Sequence, residues 1–256
     1  MTEQILSEIG DGVLTIRINR PEKKNALTLA MYEAITAALK AGQSDPAVRC
    51  VLITGVENAF TSGNDIMDFI QAPPVDESSP VMQFLQTIPV FEKPIVAAVN
   101  GVAIGIGTTL LLHCDLVYAG EGARFQLPFV NLGLVPEAGS SYILPQMVGY
   151  QRAAELILLG EAFGAQKAYE VGIVNQVVPD EETFSLAREK AMALAQKAPA
   201  ALRLSRSLLR QGSARAVQET IVRESSHFAS RLQSPEAAEA FQAFMERRKP
   251  DFSQFE

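Results

Sequence analysis

Two short glycine loops and one glutamate are where this sequence could do chemistry. The first loop is NGVAIGIGTT, residues 100–109. Glycines just ahead of a helix let backbone N–H groups approach an oxygen closely, and the positive end of the helix dipole adds to the attraction. Such a turn suits a developing oxyanion. Gly105 and Gly107 would serve tight strand–helix packing equally well. The second loop is AFTSGNDI, residues 59–66, in which Gly63 again precedes a helix start and Asn64 follows it. Two such loops, each after a buried strand, could give one N–H each to a single carbonyl oxygen. The glutamate is Glu137, in LGLVPEAGSS, with Leu134, Val135, Pro136 and Ala138 around it. Desolvation among such neighbours raises a carboxyl pKa and makes the carboxylate a stronger base. A glutamate placed at a helix N-terminus to meet the dipole would read the same way.

Other chemistries fit less well. The glycine loop is not a dinucleotide fingerprint, because Leu110 takes the place of the third glycine, and it lacks the Gly-Lys-Ser/Thr ending of a phosphate loop. His113, on the apolar run LLLHCD, reads as a satisfied core histidine, and His227 falls in the helical tail. Asp65 reads as a helix-start or loop brace, and Asp115 and Glu121 as structural. No His/Cys cluster has metal-ligand spacing, so no metal is expected. There is no G-x-S-x-G elbow, and Ser140 and Ser141 have no histidine nearby in sequence.

The elements that must position these residues follow from periodicity. Residues 12–19 alternate, with Leu14, Ile16 and Ile18 on one face, as a half-buried strand does. Thr28 is the predicted N-cap of a helix running to about Gly42, with Met31, Ile35 and Leu39 on its stripe. Residues 48–54, 94–99 and 116–119 read as further strands, and residues 94–99 are apolar throughout, as a strand covered on both faces is. A short helix over TTLLLHCD, a short extended piece at 125–128 and a helix over 140–147 flank the candidate loops. The Pro- and Ser-rich stretch 72–80 is expected to be mobile. From residue 181 onward four amphipathic helices are predicted, at 181–198, 199–211, 214–233 and 235–248. The expected organisation is a mixed core over 1–196 and a helical region over 197–256. Leu202, Leu208, Ile221, Phe228 and Phe241 suit that tail to an oligomer interface.

Bulk properties set the limits. With 256 residues, 48% apolar and 20% charged, the chain can bury one sizeable core. A net charge of −7 argues against a general nucleic-acid binder. The two cysteines, Cys50 and Cys114, lie in apolar stretches and make no disulfide framework, so a cytoplasmic setting is expected. The N-terminus lacks a basic-then-apolar signal pattern, and the apolar runs are too short to span a bilayer.

These motifs carry a family resemblance over nearly the whole chain and in order. AFTSGNDI resembles the AF-x-x-G-x-D motif of the crotonase (enoyl-CoA hydratase/isomerase) superfamily. The stretch KPIVAAVNGVAIGIGTTLLLHCDLVYAGEGARFQLPFVNLGLVPEAGSSY resembles its central signature. NRPEKKNAL resembles its N-terminal CoA-contacting segment, and LLGEAFGAQKAYEVGIVNQVVP and SPEAAEAFQAFMERRKPDF resemble its later segments. The resemblance implies an α/β crotonase (ClpP/crotonase-like) fold, a repeated β-β-α spiral with a C-terminal helical region that assembles trimers or dimers of trimers. It implies an acyl-CoA substrate and no separate cofactor, since coenzyme A arrives as part of that substrate. It places an oxyanion hole on the backbone N–H groups of Asn64 and Ile106, the family usually having glycine at the latter position. It assigns CoA contacts to Lys24, Ala26, Ser62, Asp65 and Ile66, and the acyl pocket to Met67, Phe69 and Phe129.

The resemblance also separates activities. Hydratases of the family use two glutamates, and here those positions hold Thr109 and Phe129. The peroxisomal-type Δ3,Δ2-enoyl-CoA isomerases carry a single catalytic glutamate in the context of Glu137. A double-bond isomerase working in acyl-CoA breakdown is therefore expected. Hydration or another reaction of the superfamily, with an acid such as Asp65 brought in from elsewhere, and a non-catalytic acyl-CoA binder are the alternatives.

Overall fold

The computed structural model describes residues 4–56, 59–71 and 78–255. Six strands form the larger sheet: β1 (Ile5–Gly10), β2 (Val13–Ile18), β3 (Cys50–Gly55), β5 (Ile95–Val99), β7 (Leu116–Gly120) and β10 (Gln176–Val178), in that spatial order. Four short strands form the second: β4 (Ala59–Thr61), β6 (Val102–Ile104), β8 (Arg124–Gln126) and β9 (Phe163–Gly164). Consecutive strands alternate between the sheets, β3 to β4, β5 to β6 and β7 to β8. This is the expected β-β-α spiral. Each turn of it ends a strand of the second sheet beside the same strand end of the previous turn.

The larger sheet is apolar on both faces because both are covered. In β3, Val51 and Ile53 face the main core, while Cys50 and Leu52 face a second cluster with Val96, Ala98 and Tyr118. Ala187, Ala191 and Ala195, spaced by one helical turn, bring helix Thr183–Ala195 close against that second face. Val51, Leu52, Val96 and Ala97 are fully buried, which explains why β3 and β5 read as unbroken apolar runs.

Several local expectations hold. Helix Leu29–Ser44 starts at Thr28, whose side chain accepts from the Met31 N–H. Helices Ser140–Val148, Thr183–Ala195, Pro199–Gln211, Ala214–Leu232 and Pro235–Met245 fall where periodicity places them. The helix expected over TTLLLHCD is one α turn, Ile106–Thr109, continued as a 3-10 turn, Leu110–His113. Of the 72–80 stretch expected to be mobile, residues 72–77 lie outside the described residues. Ser79 and Pro80 instead begin helix Pro80–Thr87, the Ser79 hydroxyl accepting from the Met82 N–H. Strand β1 had no sequence signal: its LSEIG run is exposed, and only pairing with β2 makes it a strand. No helix among the described residues is long and apolar enough to cross a membrane.

The tail helices are anchored on the core by charge. Arg206, 8% exposed, donates from Nε to both Asp115 oxygens at 2.8 Å and from Nη1 to the Phe91 carbonyl. Asp115 Oδ2 also accepts from the Ile95 N–H at 2.8 Å, so one carboxylate ties β5 to helix Pro199–Gln211. Removing one partner of such a pair leaves the other charge buried and uncompensated. Asp115→Ala is expected to lower stability by about 3 kcal/mol, read as a reduced urea midpoint with an unchanged slope.

Candidate active site

The two glycine loops come together because β4 and β6 are parallel neighbours, Ala59 opposite Val102 and Thr61 opposite Ala103. Both chains leave this pair at the same end and turn on a left-handed glycine, Gly63 at φ 92° and Gly105 at φ 57°. The turns are in contact. A Cβ on Gly63 would stand 2.8 Å from the Ile104 carbonyl oxygen, and one on Gly107 would stand 2.7 Å from Thr61 Cγ2. Only glycine permits both the backbone angle and the approach at Gly63. Asn64 and Ile106 are the residues just beyond these turns. Among the described residues, the N–H groups of Asn64 and Ile106 meet no backbone or side-chain acceptor. Ile106 is the first residue of its helical turn, where an N–H has no partner within the helix.

Glu137 faces this arrangement from the loop before helix Ser140–Val148 and is 4% exposed. Its Oε1 accepts from the Thr109 hydroxyl at 2.9 Å, and Thr109 lies one turn after Ile106 on the same short helix. Burial pushes the Glu137 carboxyl up to about 8, the Thr109 hydrogen bond opposing this and the nearby Glu224 carboxylate adding to it. Glu137 also lines a cavity of about 20 Å3 with Phe69, Val81, Met82, Leu85, Ser225 and Phe228. That is room for about one water. An acyl group therefore enters only if these side chains give way.

The loop carrying Glu137 is strained and braced. Ala138, at φ 58°, and Gly139, at φ 74°, are both left-handed, a conformation that costs a non-glycine residue about 1–2 kcal/mol. The Ala138 carbonyl accepts from His113 Nε2 at 2.7 Å. Burial, with Arg210 and Arg206 adding to it, pushes His113 down to about 4, so the ring is neutral at pH 7 and acts as a brace. This is the satisfied core histidine that its apolar context predicts.

The expected CoA-contacting residues lie along one seam. Ser62 N–H donates to the Lys24 carbonyl at 2.9 Å, Leu27 N–H to the Gly63 carbonyl at 2.8 Å and Asp65 N–H to the Leu27 carbonyl at 2.9 Å. Lys24, Ala26, Ser62, Asp65 and Ile66 are thereby neighbours, with Lys24 exposed. The Asp65 carboxylate is engaged within the protein: it takes the Arg20 guanidinium at 2.7 Å and caps the Met67 and Asp68 N–H groups. It is the brace that its sequence context suggests. Of the three acyl-pocket residues, Phe69 lines the cavity beside Glu137. Met67 is half exposed and Phe129 is buried in the core, and neither lines that cavity.

Two residues of the site had no signal in the sequence. Tyr32, fully buried on helix Leu29–Ser44, donates its hydroxyl to Asn64 Oδ1. Burial, with the Glu137 carboxylate nearby, holds its phenol protonated well above the usual range. Glu224, on helix Ala214–Leu232, accepts from the Gly139 and Ser141 N–H groups. Both read as ordinary helix positions, because their partners are distant in sequence. Thus Thr109 links Glu137 to the Ile106 loop, and Tyr32 stands between Glu137 and the Asn64 loop. Two unpartnered amides beside one buried base can bind a thioester oxygen and move a proton on the adjacent carbon. Among the described residues no group of three or more His, Cys, Asp or Glu side chains could hold a metal ion.

Comparison with known proteins agrees with this geometry. The enoyl-CoA hydratase/isomerase family model matches residues 8–255. The chain is 35% identical to the 2,3-dehydroadipyl-CoA hydratase of Escherichia coli, over 98% of this chain and 99% of that one. It is 36% identical to the rat (Rattus norvegicus) enoyl-CoA delta isomerase 2, over 93% of this chain and 62% of that one. Among solved structures, the Pseudomonas aeruginosa protein OdaA superposes with a TM-score of 0.94 at 48% identity, covering 96% of this chain and all of that one. An enoyl-CoA hydratase/isomerase of Pseudoalteromonas atlantica superposes at 0.93 with 41% identity, covering 98% of this chain and all of that one. With relatives named for both activities and a paired-loop site built as the sequence motifs require, the chain belongs to the enoyl-CoA hydratase/isomerase family and has the crotonase fold.

Proposed function

We propose that this enzyme is an acyl-CoA double-bond isomerase that moves a 3-enoyl thioester to the conjugated 2-enoyl form. The observation that carries the reading is Glu137: a buried carboxyl, raised to about 8, which is the one carboxyl lining a cavity whose remaining lining is apolar apart from Ser225. One carboxylate suffices for this reaction. Glu137 takes a proton from carbon 2, the dienolate charge falls on the thioester oxygen, and the Asn64 and Ile106 N–H groups bind that oxygen. The same carboxyl then returns the proton at carbon 4. Each oxyanion donor contributes about 3–4 kcal/mol to the transition state. Coenzyme A comes with the substrate, and the seam of Lys24, Ala26, Ser62, Asp65 and Ile66 supports it.

Hydration needs one group to deprotonate a water and a second to deliver a proton. Thr109 and Phe129 stand where the hydratases have their carboxylates, and Thr109 is committed to Glu137. Asp65, the other acid considered, is committed to Arg20. Of the tail residues expected at an interface, Ile221, Phe228 and Phe241 are instead buried in the protein's own core. The exposed Leu208, with Leu204 and Leu209 on the same helix Pro199–Gln211, supports a homotrimer or a dimer of trimers. A monomer by light scattering at micromolar concentration would remove that assembly.

Glu137→Gln is expected to cut 3-enoyl-CoA isomerisation by about 10²–10⁴-fold, followed by absorbance of the conjugated product. A variant that keeps most of its turnover would exclude Glu137 as the base. The wild type is expected to hydrate 2-enoyl-CoA poorly in a parallel assay. Because Glu137 works ionised, kcat/KM should rise with pH and level off above about 8. The folded state holds this proton more tightly than the unfolded chain, so its stabilising effect is complete below pH 4.5 and is lost as pH rises to about 8. Glu137→Gln should accordingly melt no lower than the wild type at pH 8. Thr109→Val removes the hydroxyl that favours the carboxylate, so the rising limb of the profile should move to higher pH.

A further inference from the structure

Helix Ala214–Leu232 belongs to the C-terminal region, yet it reaches the catalytic loop with one side chain. Glu224 is 6% exposed. Its Oε2 accepts from the Gly139 N–H at 2.6 Å and its Oε1 from the Ser141 N–H at 2.8 Å. These amides open helix Ser140–Val148, which has no side-chain cap of its own. Glu224 is thus the cap of that helix, supplied from a distant part of the chain, with its charge at the positive end of the dipole. The segment it clamps follows directly on Glu137 and includes the left-handed pair Ala138 and Gly139. One and four residues further along helix Ala214–Leu232, Ser225 and Phe228 also wall the Glu137 cavity.

We propose that Glu224 is the positioning residue for Glu137: its two hydrogen bonds fix the strained loop that aims the base, and its negative charge stands beside that base. This rests on the reading of Glu137 as the base. Without the clamp, Ala138 and Gly139 are held from one side only, by His113 on the Ala138 carbonyl. Relaxation of that turn would swing Glu137 away from the Asn64 and Ile106 amides. The electrostatic consequence has a definite sign. The polar and titratable groups around the pair are the uncharged Thr109 and Tyr32, neutral His113, and two cations, Arg223 next to Glu224 on its own helix and Arg210 beyond His113. Arg223 favours the Glu224 carboxylate, whose own proton affinity burial raises. An ionised Glu224 disfavours a second charge on Glu137 and so keeps its proton affinity high, making it a stronger base once ionised.

The test compares Glu224→Gln and Glu224→Asp with the wild type. The Glu137 carboxyl is titrated by infrared difference spectroscopy against Glu137→Gln, a measurement that needs no substrate. Steady-state isomerisation is followed beside it. Glu224→Gln removes the charge and replaces one acceptor with a donor. Its Glu137 midpoint should fall from about 8 by half a unit or more, and kcat should drop about tenfold with KM changed by less than about threefold. Glu224→Asp keeps the charge but gives up the reach, so the midpoint should stay high while kcat falls. Unmoved midpoints and unchanged kcat in both variants, with only a lower melting temperature, would reduce Glu224 to a structural cap and overturn the proposal. If Glu224→Gln does not fold, Glu224→Asp still decides: wild-type kcat there overturns it. A midpoint that responds in an enzyme without isomerase activity would refute the isomerase reading and leave the positioning role intact.

Discussion

Everything in this site depends on keeping one carboxyl away from water without giving it a cation. Glu137 is 4% exposed and its direct partner is a neutral hydroxyl. A salt bridge would stabilise the carboxylate but lower its proton affinity, and a solvated position would do the same. The fold therefore surrounds Glu137 largely with aromatic and aliphatic side chains, and the cations near its brace His113 are occupied elsewhere. Arg206 is committed to Asp115, and Arg210 lies behind His113, donating to the His113 carbonyl. Elsewhere acids and bases are paired directly, as Asp65 is with Arg20.

The second requirement is two backbone donors left without partners in a dense interior, where nearly every buried amide is normally bonded. The spiral solves this by repetition. Two successive turns each place a short strand in the second sheet and end it with a glycine turn, at Gly63 and Gly105, so they offer equivalent amides side by side. The Asn64 amide is freed because the flanking residues Gly63 and Asp65 take up the hydrogen bonds to Leu27. The Ile106 amide is freed because it opens a helical turn. Because the donor is main chain, a bulky isoleucine at 106 is tolerated, its side chain packing in the core at 1% exposure.

This division explains how one family serves several reactions. In the proposed reading, amides set by the backbone would hold a thioester oxygen, while the acid and base would be single side chains on neighbouring elements. Thr109, at the position where the family resemblance expects a hydratase carboxylate, here donates its hydroxyl to Glu137. Glu137 is fixed from three directions: Thr109 on its carboxyl, His113 on the carbonyl after it and Glu224 on the amides beyond. One of the C-terminal helices thereby reaches the loop that carries Glu137.

The strands of the larger sheet, the capped helices and the glycine turns were legible in the sequence because each rests on local physics: periodicity, a side chain that caps its own helix, a φ that glycine alone adopts freely. So were Glu137 and the Asn64 and Ile106 loops, marked by motif and by apolar neighbours. The short strands Ala59–Thr61 and Val102–Ile104 were read as loops, since segments of three residues have no period of their own and form only when paired. Phe129 was expected to shape the acyl pocket, but its ring packs into the core. Tyr32 and Glu224 were invisible, because a tyrosine on an apolar stripe and a glutamate on an amphipathic helix look ordinary until the chain brings Asn64 and Gly139 to them. The sequence by itself determined which groups were available and what backbone each could adopt. Only the tertiary structure decided which of them met, because those contacts join residues 32 and 85 positions apart, a separation that no local pattern encodes.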